Sequence, residues 1–397
     1  MNAIKLVAGT ALLALALTGC EKPVMEAEQL GYRGVGMEQV INPRIASRVA
    51  AANVAPDPLP QVPPGGPKAG DIYENVQVLG HLDVGEFTRL MAAMTEWVSP
   101  QEGCNYCHEA GNFAAEGVYT KTVSRRMIQM TQHVNAEWQD HVADTGVTCY
   151  TCHRGQPVPE NIWFEDKGPH KVRPMMARNY GQNLASEAAV YSSLPRDPFS
   201  PYIEGDASIR VIAQTALPTG QMTASTQDTE GTYALMMHLS DSLGVNCTFC
   251  HNSRAFSDWA QSPPARVSAW HGLQMVRSLN NDYLVPLQGT YPEHRLGANG
   301  DAPKANCATC HNGVSKPLNG AQMLVHYTAL AAPGMAAAPA TPAAPATLRQ
   351  AIEQVIEAAE GAGEELIEAL EMLIEEGEGE SDDVAAASER RVTTAGR

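Results

Sequence analysis

The sequence predicts a mainly α fold with long irregular segments, built from helix-turn units that repeat along the chain. Three observations predict it. Four stretches carry apolar residues at helical spacing, bounded by Gly or Pro. A five-residue string, Cys-x-x-Cys-His, follows each of them, opening at Cys104, Cys149, Cys247 and Cys307 and closing on His108, His153, His251 and His311. The 397 residues are also poor in large core formers, with 6% aromatics against 33 Gly and 27 Pro.

The string reads as covalent c-type haem attachment, because two thiols at this spacing can add to the two vinyl groups of one porphyrin while the adjoining imidazole reaches its iron. Cys104, Cys107, Cys149, Cys152, Cys247, Cys250, Cys307 and Cys310 account for eight of the nine cysteines. Zinc ribbons do not require a histidine after every second cysteine, and a disulfide framework would not space its thiols so regularly. Four haems on one chain make a multihaem cytochrome, and the porphyrins supply the flat apolar surfaces that few Phe and Trp residues provide.

The ninth cysteine, Cys20, follows Lys5, an apolar run and the small residues Thr18 and Gly19. This is a secretory signal of the lipoprotein type over 1–19, with Cys20 the expected bearer of a diacylglycerol or acyl lipid. No later stretch approaches the roughly 18 apolar residues of a membrane span, so the mature chain is expected to be held at the membrane by its acyl chains.

Residues 20–75 are rich in Pro, Ala and Gly and read as an extended arm. The haem-bearing domain is expected over 76–330, as two pairs of units (76–155 and 228–315) joined by a connector. Its first helix starts at the capping-box-like pair Asp83 and Glu86, carries Phe87, Leu90, Met91, Met94 and Val98, and stops at Ser99-Pro100. The second runs as one helix from about 120 to 142, with Val123, Met127, Met130, Val134, Trp138 and His141 on a stripe. A third spans about 228–243 and ends at Gly244. The fourth lies between Pro264 and Pro286 and carries His271 and Met275. The two pairs suggest internal duplication, with Gly-Val-Thr-Cys before the second string matching Gly-Val-Asn-Cys before the third.

Each string supplies one axial ligand, so function turns on the opposite face of each iron. A vacant face would make an enzyme, a methionine a closed electron-transfer haem of raised potential, and a second histidine one of lower potential. Methionines lie on the stripes before the first three strings. His141 lies 14 residues beyond Met127, about 21 Å along a straight helix and on nearly the same face, so one helix could serve two irons. His271 and Met275 are local competitors for the fourth iron.

Phe87-Thr88-Arg89-Leu90-Met91, Glu96 through Cys104, Gly146 through Gly155, Leu194 through Phe199, Gln214 through Pro218 and Ala234 through His251 together resemble the tetrahaem cytochrome subunit of purple-bacterial photosynthetic reaction centres. The resemblance covers about 20–330. It implies Met91 with His108, Met127 with His153, Met236 with His251, and His141 with His311 as the axial pairs, leaving Met94, Met130 and Met237 to packing. It also implies an electron-transfer subunit rather than an enzyme, on the periplasmic face of the bacterial inner membrane. Such a subunit would sit on the L and M subunits, with H in the same complex and a light-harvesting complex nearby. It would re-reduce the photo-oxidised bacteriochlorophyll special pair with electrons from a soluble cytochrome c or a high-potential iron-sulfur protein. A shuttle to another redox complex would share every haem feature, and a multihaem nitrite reductase would need one five-coordinate iron.

The net charge of −17 is unevenly spread, since residues 333–397 hold 14 acidic and 4 basic side chains. Glu86, Glu96, Glu102, Glu109 and Glu116 gather in sequence near the first string and are candidates for steering a basic carrier. An Ala/Pro linker is expected over 331–347 and an acidic extension, helical or disordered, over 348–397.

Overall fold

The computed structural model describes residues 24–30, 37–166, 184–212 and 224–331. The signal peptide, Cys20, the stretch from Gln214 to Pro218, the linker beyond Ala331 and the acidic extension lie outside them. The described residues all fall within one compact unit, Met1–Ala337.

The arm is not simply extended. Strands β1 (Glu26–Gln29) and β2 (Glu38–Ile41) pair antiparallel, and helix α1 (Pro43–Ala52) follows. Asn42 starts α1 by accepting the N–H of Arg44, and Pro43 stands in the first turn, where a missing N–H costs nothing. The arm straps the third string: Gln39 accepts the Asn246 N–H at 2.8 Å and donates to Gly244 O, while Thr248 donates to Glu38 O.

After a short turn, α2 (Ala69–Ile72), comes α3 (Val84–Val98), with Asp83 at its N-cap. The expected capping box is absent, because the Asp83 carboxylate is taken by Lys68 at 2.7 Å and by the Gly65 N–H at 2.8 Å. The long second helix is in fact two, α4 (Tyr119–Glu137) and α5 (Gln139–Val142). The backbone leaves the helical region at Trp138 (φ −113°, ψ 33°), whose indole N–H turns back to His133 Nε2 at 3.2 Å. The straight-helix relation between Met127 and His141 therefore does not hold.

Next come α6 (Cys149–His153) and strand β3 (Ile162–Trp163). Helix α7 (Thr226–Leu243) begins two residues earlier than expected, since Ser225 and Asp228 form a reciprocal capping box, and ends on Gly244 at φ 64°. Helix α8 (Ala265–Ser278) runs on into wider π-type turns over Leu279–Leu284. Strand β4 (Lys304–Ala305) pairs antiparallel with β3 just before α9 (Cys307–His311).

Two apolar cores form. The first gathers Leu90, Ala93 and Trp97 of α3, Ile128 of α4, Cys149 and the returning segment Leu318, Met323, Tyr327 and Leu330. The second gathers Val134 of α4, Trp163, Phe199, Tyr202, Leu235 of α7, and Leu273, Met275 and Val276 of α8. Helix α4 thus runs through both. Arg89 locks the first core: its guanidinium donates to Leu59 O, Pro60 O and His326 O and lies 4.3 Å from the Tyr327 ring. Arg89→Met would leave three carbonyls without a donor and should cost about 3 kcal/mol. Denaturant unfolding, with limited proteolysis opening near 59–60, measures it; an unchanged midpoint would contradict the role.

Candidate functional site

The four strings adopt two conformations, alternating along the chain. The first and third are tight 3₁₀ turns, Gly103–Tyr106 and Cys247–Phe249, in which the histidine N–H reaches back to the first cysteine's carbonyl. The second and fourth are the single helical turns α6 and α9. Each of these is capped in the same way, Thr148 N–H donating to Thr151 Oγ1 at 3.0 Å and Asn306 N–H to Thr309 Oγ1 at 2.9 Å. A buried asparagine fixes the residue two before each first cysteine by grasping both its backbone groups. Asn135 does so for Val147, and Asn280 for Ala305. Both turns end in a left-handed residue, Arg154 and Asn312.

Every string histidine has its Nδ1 against a backbone carbonyl just downstream: His108 on Phe113 (3.1 Å), His153 on Gln156 (2.9 Å), His251 on Phe256 (2.9 Å) and His311 on Val314 (3.0 Å). A carbonyl only accepts, so Nδ1 carries the proton and Nε2 keeps its lone pair. Burial pushes the pKa of His153, His251 and His311 down, that of His311 to about 4. These are neutral imidazoles, fixed in tautomer and direction, as metal ligands must be. Phe113 and Phe256 also flank their histidines, with ring centres 4.9 and 5.1 Å away. The shared His-x-x-x-x-Phe spacing is the local sequence signal for this arrangement.

His141 presents the same signature. Its Nδ1 lies 2.8 Å from Ser268 O of α8, and burial lowers its pKa. Its ring centre is 5.9 Å from that of His311, with the planes at 70°. Two imidazoles each about 2 Å from one metal would place their ring centres about 6 Å apart. The gap therefore fits an iron. Two buried guanidinium nitrogens beside the strings also lack a protein partner among the described residues. They are Nε of Arg154, next to His153, and Nε of Arg295, close to Tyr106 and Tyr119. The carboxylates of a porphyrin are suitable acceptors, so the residues fit haem.

Met91 and Met94 pack on the edge of the first core, and Met130 and Met236 on the second. Met275 lies inside the second core at 5% exposure, and His271 Nδ1 is 3.9 Å from an Asp140 oxygen. Burial pushes the Cys149 and Cys307 thiols up to about 12 and Cys250 to about 11, the opposite of an activated nucleophile.

The strings are linked in the order first, second, fourth, third. Gly155, after the second, donates to Trp97 O of α3, which leads into the first. Cys152 and Cys310 bring the second and fourth within 2.9 Å, sulfur to sulfur. Gly313, after the fourth, donates to Ser242 O at the end of α7, which leads into the third.

A sequence profile of the photosynthetic reaction centre cytochrome c subunit family matches residues 21–331. The chain belongs to this family. It is 50% identical over 326 residues to the photosynthetic reaction center cytochrome c subunit of Rubrivivax gelatinosus, covering 82% of this chain and 89% of the relative. The protein of that name from Thermochromatium tepidum is 50% identical over 317 residues (80% and 78% covered), and that from Roseobacter denitrificans 43% over 346 residues (80% and 89%). As a reaction-centre cytochrome c subunit the chain carries covalent c-type haem, transfers electrons to the reaction centre and is membrane-associated. No helix among the described residues is long and apolar enough to cross a membrane.

The His141 and His311 pair should be sensitive to a residue that is neither of them. A Cβ at Gly272 of α8 would lie 2.5 Å from His141 Cε1 and 2.8 Å from Nδ1. Gly272→Ala should displace the His141 ring at a cost of about 1–3 kcal/mol in overpacking. A structure of the variant checks it, and an unmoved ring would refute the crowding.

Proposed function

We propose that this subunit carries four haems, one per string, and relays electrons from a soluble cytochrome c or high-potential iron-sulfur protein to the photo-oxidised special pair. The four irons would be held by Met91 with His108, Met127 with His153, Met236 with His251, and His141 with His311. When bound, haem supplies a reversible one-electron iron couple. The protein's part is to hold each imidazole by its Nδ1 and to choose the opposing ligand. The observation that carries the reading is the facing pair His141 and His311, both anchored so that their Nε2 lone pairs are free. The alternation of the two string conformations supports an internally duplicated fold.

The first and third strings lie at the two ends of the site order. Around the third string Tyr233, Phe256, Trp259, Val267 and Trp270 are exposed. Gln39 straps that same string only nineteen residues beyond Cys20, whose lipid would anchor it near the periplasmic face of the inner membrane. That end is assigned to the L and M subunits. The acidic sequence near the first string is assigned to the soluble donor.

His141→Ala should convert one low-spin haem to high-spin, open to carbon monoxide, without loss of haem content. Electron paramagnetic resonance measures this; an unchanged low-spin spectrum would contradict ligation across the two halves. A flash given to native membranes should oxidise a haem of this subunit within microseconds, and no light response would sink the reaction-centre role.

A further inference from the structure

The second and fourth strings share a cation. Arg154 immediately follows His153, held left-handed at φ 51°, and its guanidinium crosses to α9, where a terminal nitrogen donates to Cys310 O at 3.0 Å. Another terminal nitrogen reaches Ala52 O at 3.4 Å. Both bonds go to neutral carbonyls, and Arg154 makes no ion pair among the described residues. Its Nε is buried with no acceptor. The charge lies within electrostatic reach of both Cys152 and Cys310, whose sulfur atoms are 2.9 Å apart. A guanidinium left one donor short in a buried place is an anion site in waiting, and such donors bind carboxylates best.

We propose that Arg154 is a positioning residue for the second and fourth haems: its Nε holds a porphyrin carboxylate, and its fixed positive charge raises the reduction potential of both. This rests on the four-haem reading above. Oxidising a haem adds a positive charge at iron, which a neighbouring cation opposes, more strongly in a partly buried place than in water. A residue that merely clamped α6 to α9 would act through its hydrogen bonds and leave no such mark on both haems.

The test is optical redox titration of the haems in native membranes carrying Arg154→Gln or Arg154→Lys. With Gln, the reduction equilibria of two haems should fall together by about tenfold, about 59 mV for a one-electron couple, while the other two stay within about twofold. With Lys, which keeps the charge, all four should stay near their original values. Arg154→Met, which keeps the packing of the stem without the charge, repeats the test if the Gln variant does not retain its haems. Potentials unmoved by loss of the charge, or shifted equally by Lys and Gln, would overturn the proposal. Mass analysis of the denatured chain separates this from failure of the haem reading, since a chain without thioether-linked haem would sink that reading itself.

Discussion

The structure depends on keeping the imidazole of each string aimed by its own Nδ1. A free histidine rotates, whereas here each Nδ1–H is spent on a carbonyl, and at His153, His251 and His311 burial also disfavours the charged form. For the four string histidines the carbonyl comes three to five residues downstream, so the ligand and its support are set by one local turn. His141 is different. Its carbonyl belongs to Ser268 of α8, and the space it occupies exists because residue 272 is glycine. The pairing of His141 with His311 therefore cannot form before the two halves of the domain pack together.

That packing is arranged around α4, which contributes Ile128 to the first core and Val134 to the second. Within the second half, backbone approaches backbone without side chains to space them. A Cβ at Gly244 would meet Gly313 O at 2.2 Å, and Gly244 is also left-handed, so the position tolerates only glycine. Close contacts of this kind let the end of α7 lie directly on the turn after α9. A chain with few aromatic residues can hold its attachment sites in a fixed series this way, using backbone hydrogen bonds and porphyrin surface where another protein would use Phe and Trp.

The attachment strings, the helix before each and the family were legible because they are local: a five-residue pattern, a 3.6-residue period and long matching stretches. What was not legible depended on distant partners. The Asp83 and Glu86 pair looks like a capping box, but Lys68 and Gly65 reach Asp83 first. The break at Trp138 follows from an indole that finds His133 and the second core, and no Gly or Pro announces it. Helix α1 did carry a local signal, Asn42 before Pro43, hidden in a stretch whose Pro and Ala content reads as extended. For His141 a straight helix allows a role and the family resemblance implies one, and the structure brings it to His311 along a bent helix.

The acidic surface shows the same division between local and distant causes. Of the five glutamates near the first string, Glu116 is committed to the fold: Arg125 grips it at 2.6 and 2.8 Å, Asn75 donates to it, and its pKa is pushed down to about 2. Its charge is largely cancelled by that arginine, so it adds little to the field a carrier would feel. Any steering would then fall to the remaining glutamates and to the net charge of the haem-bearing part, about −7 once the acidic extension is set aside. A field of that sign raises the encounter rate of a basic carrier without needing any one carboxylate in contact. Sequence clustering of acidic residues thus overstates the number available for docking, because a carboxylate gripped by an arginine serves the fold first.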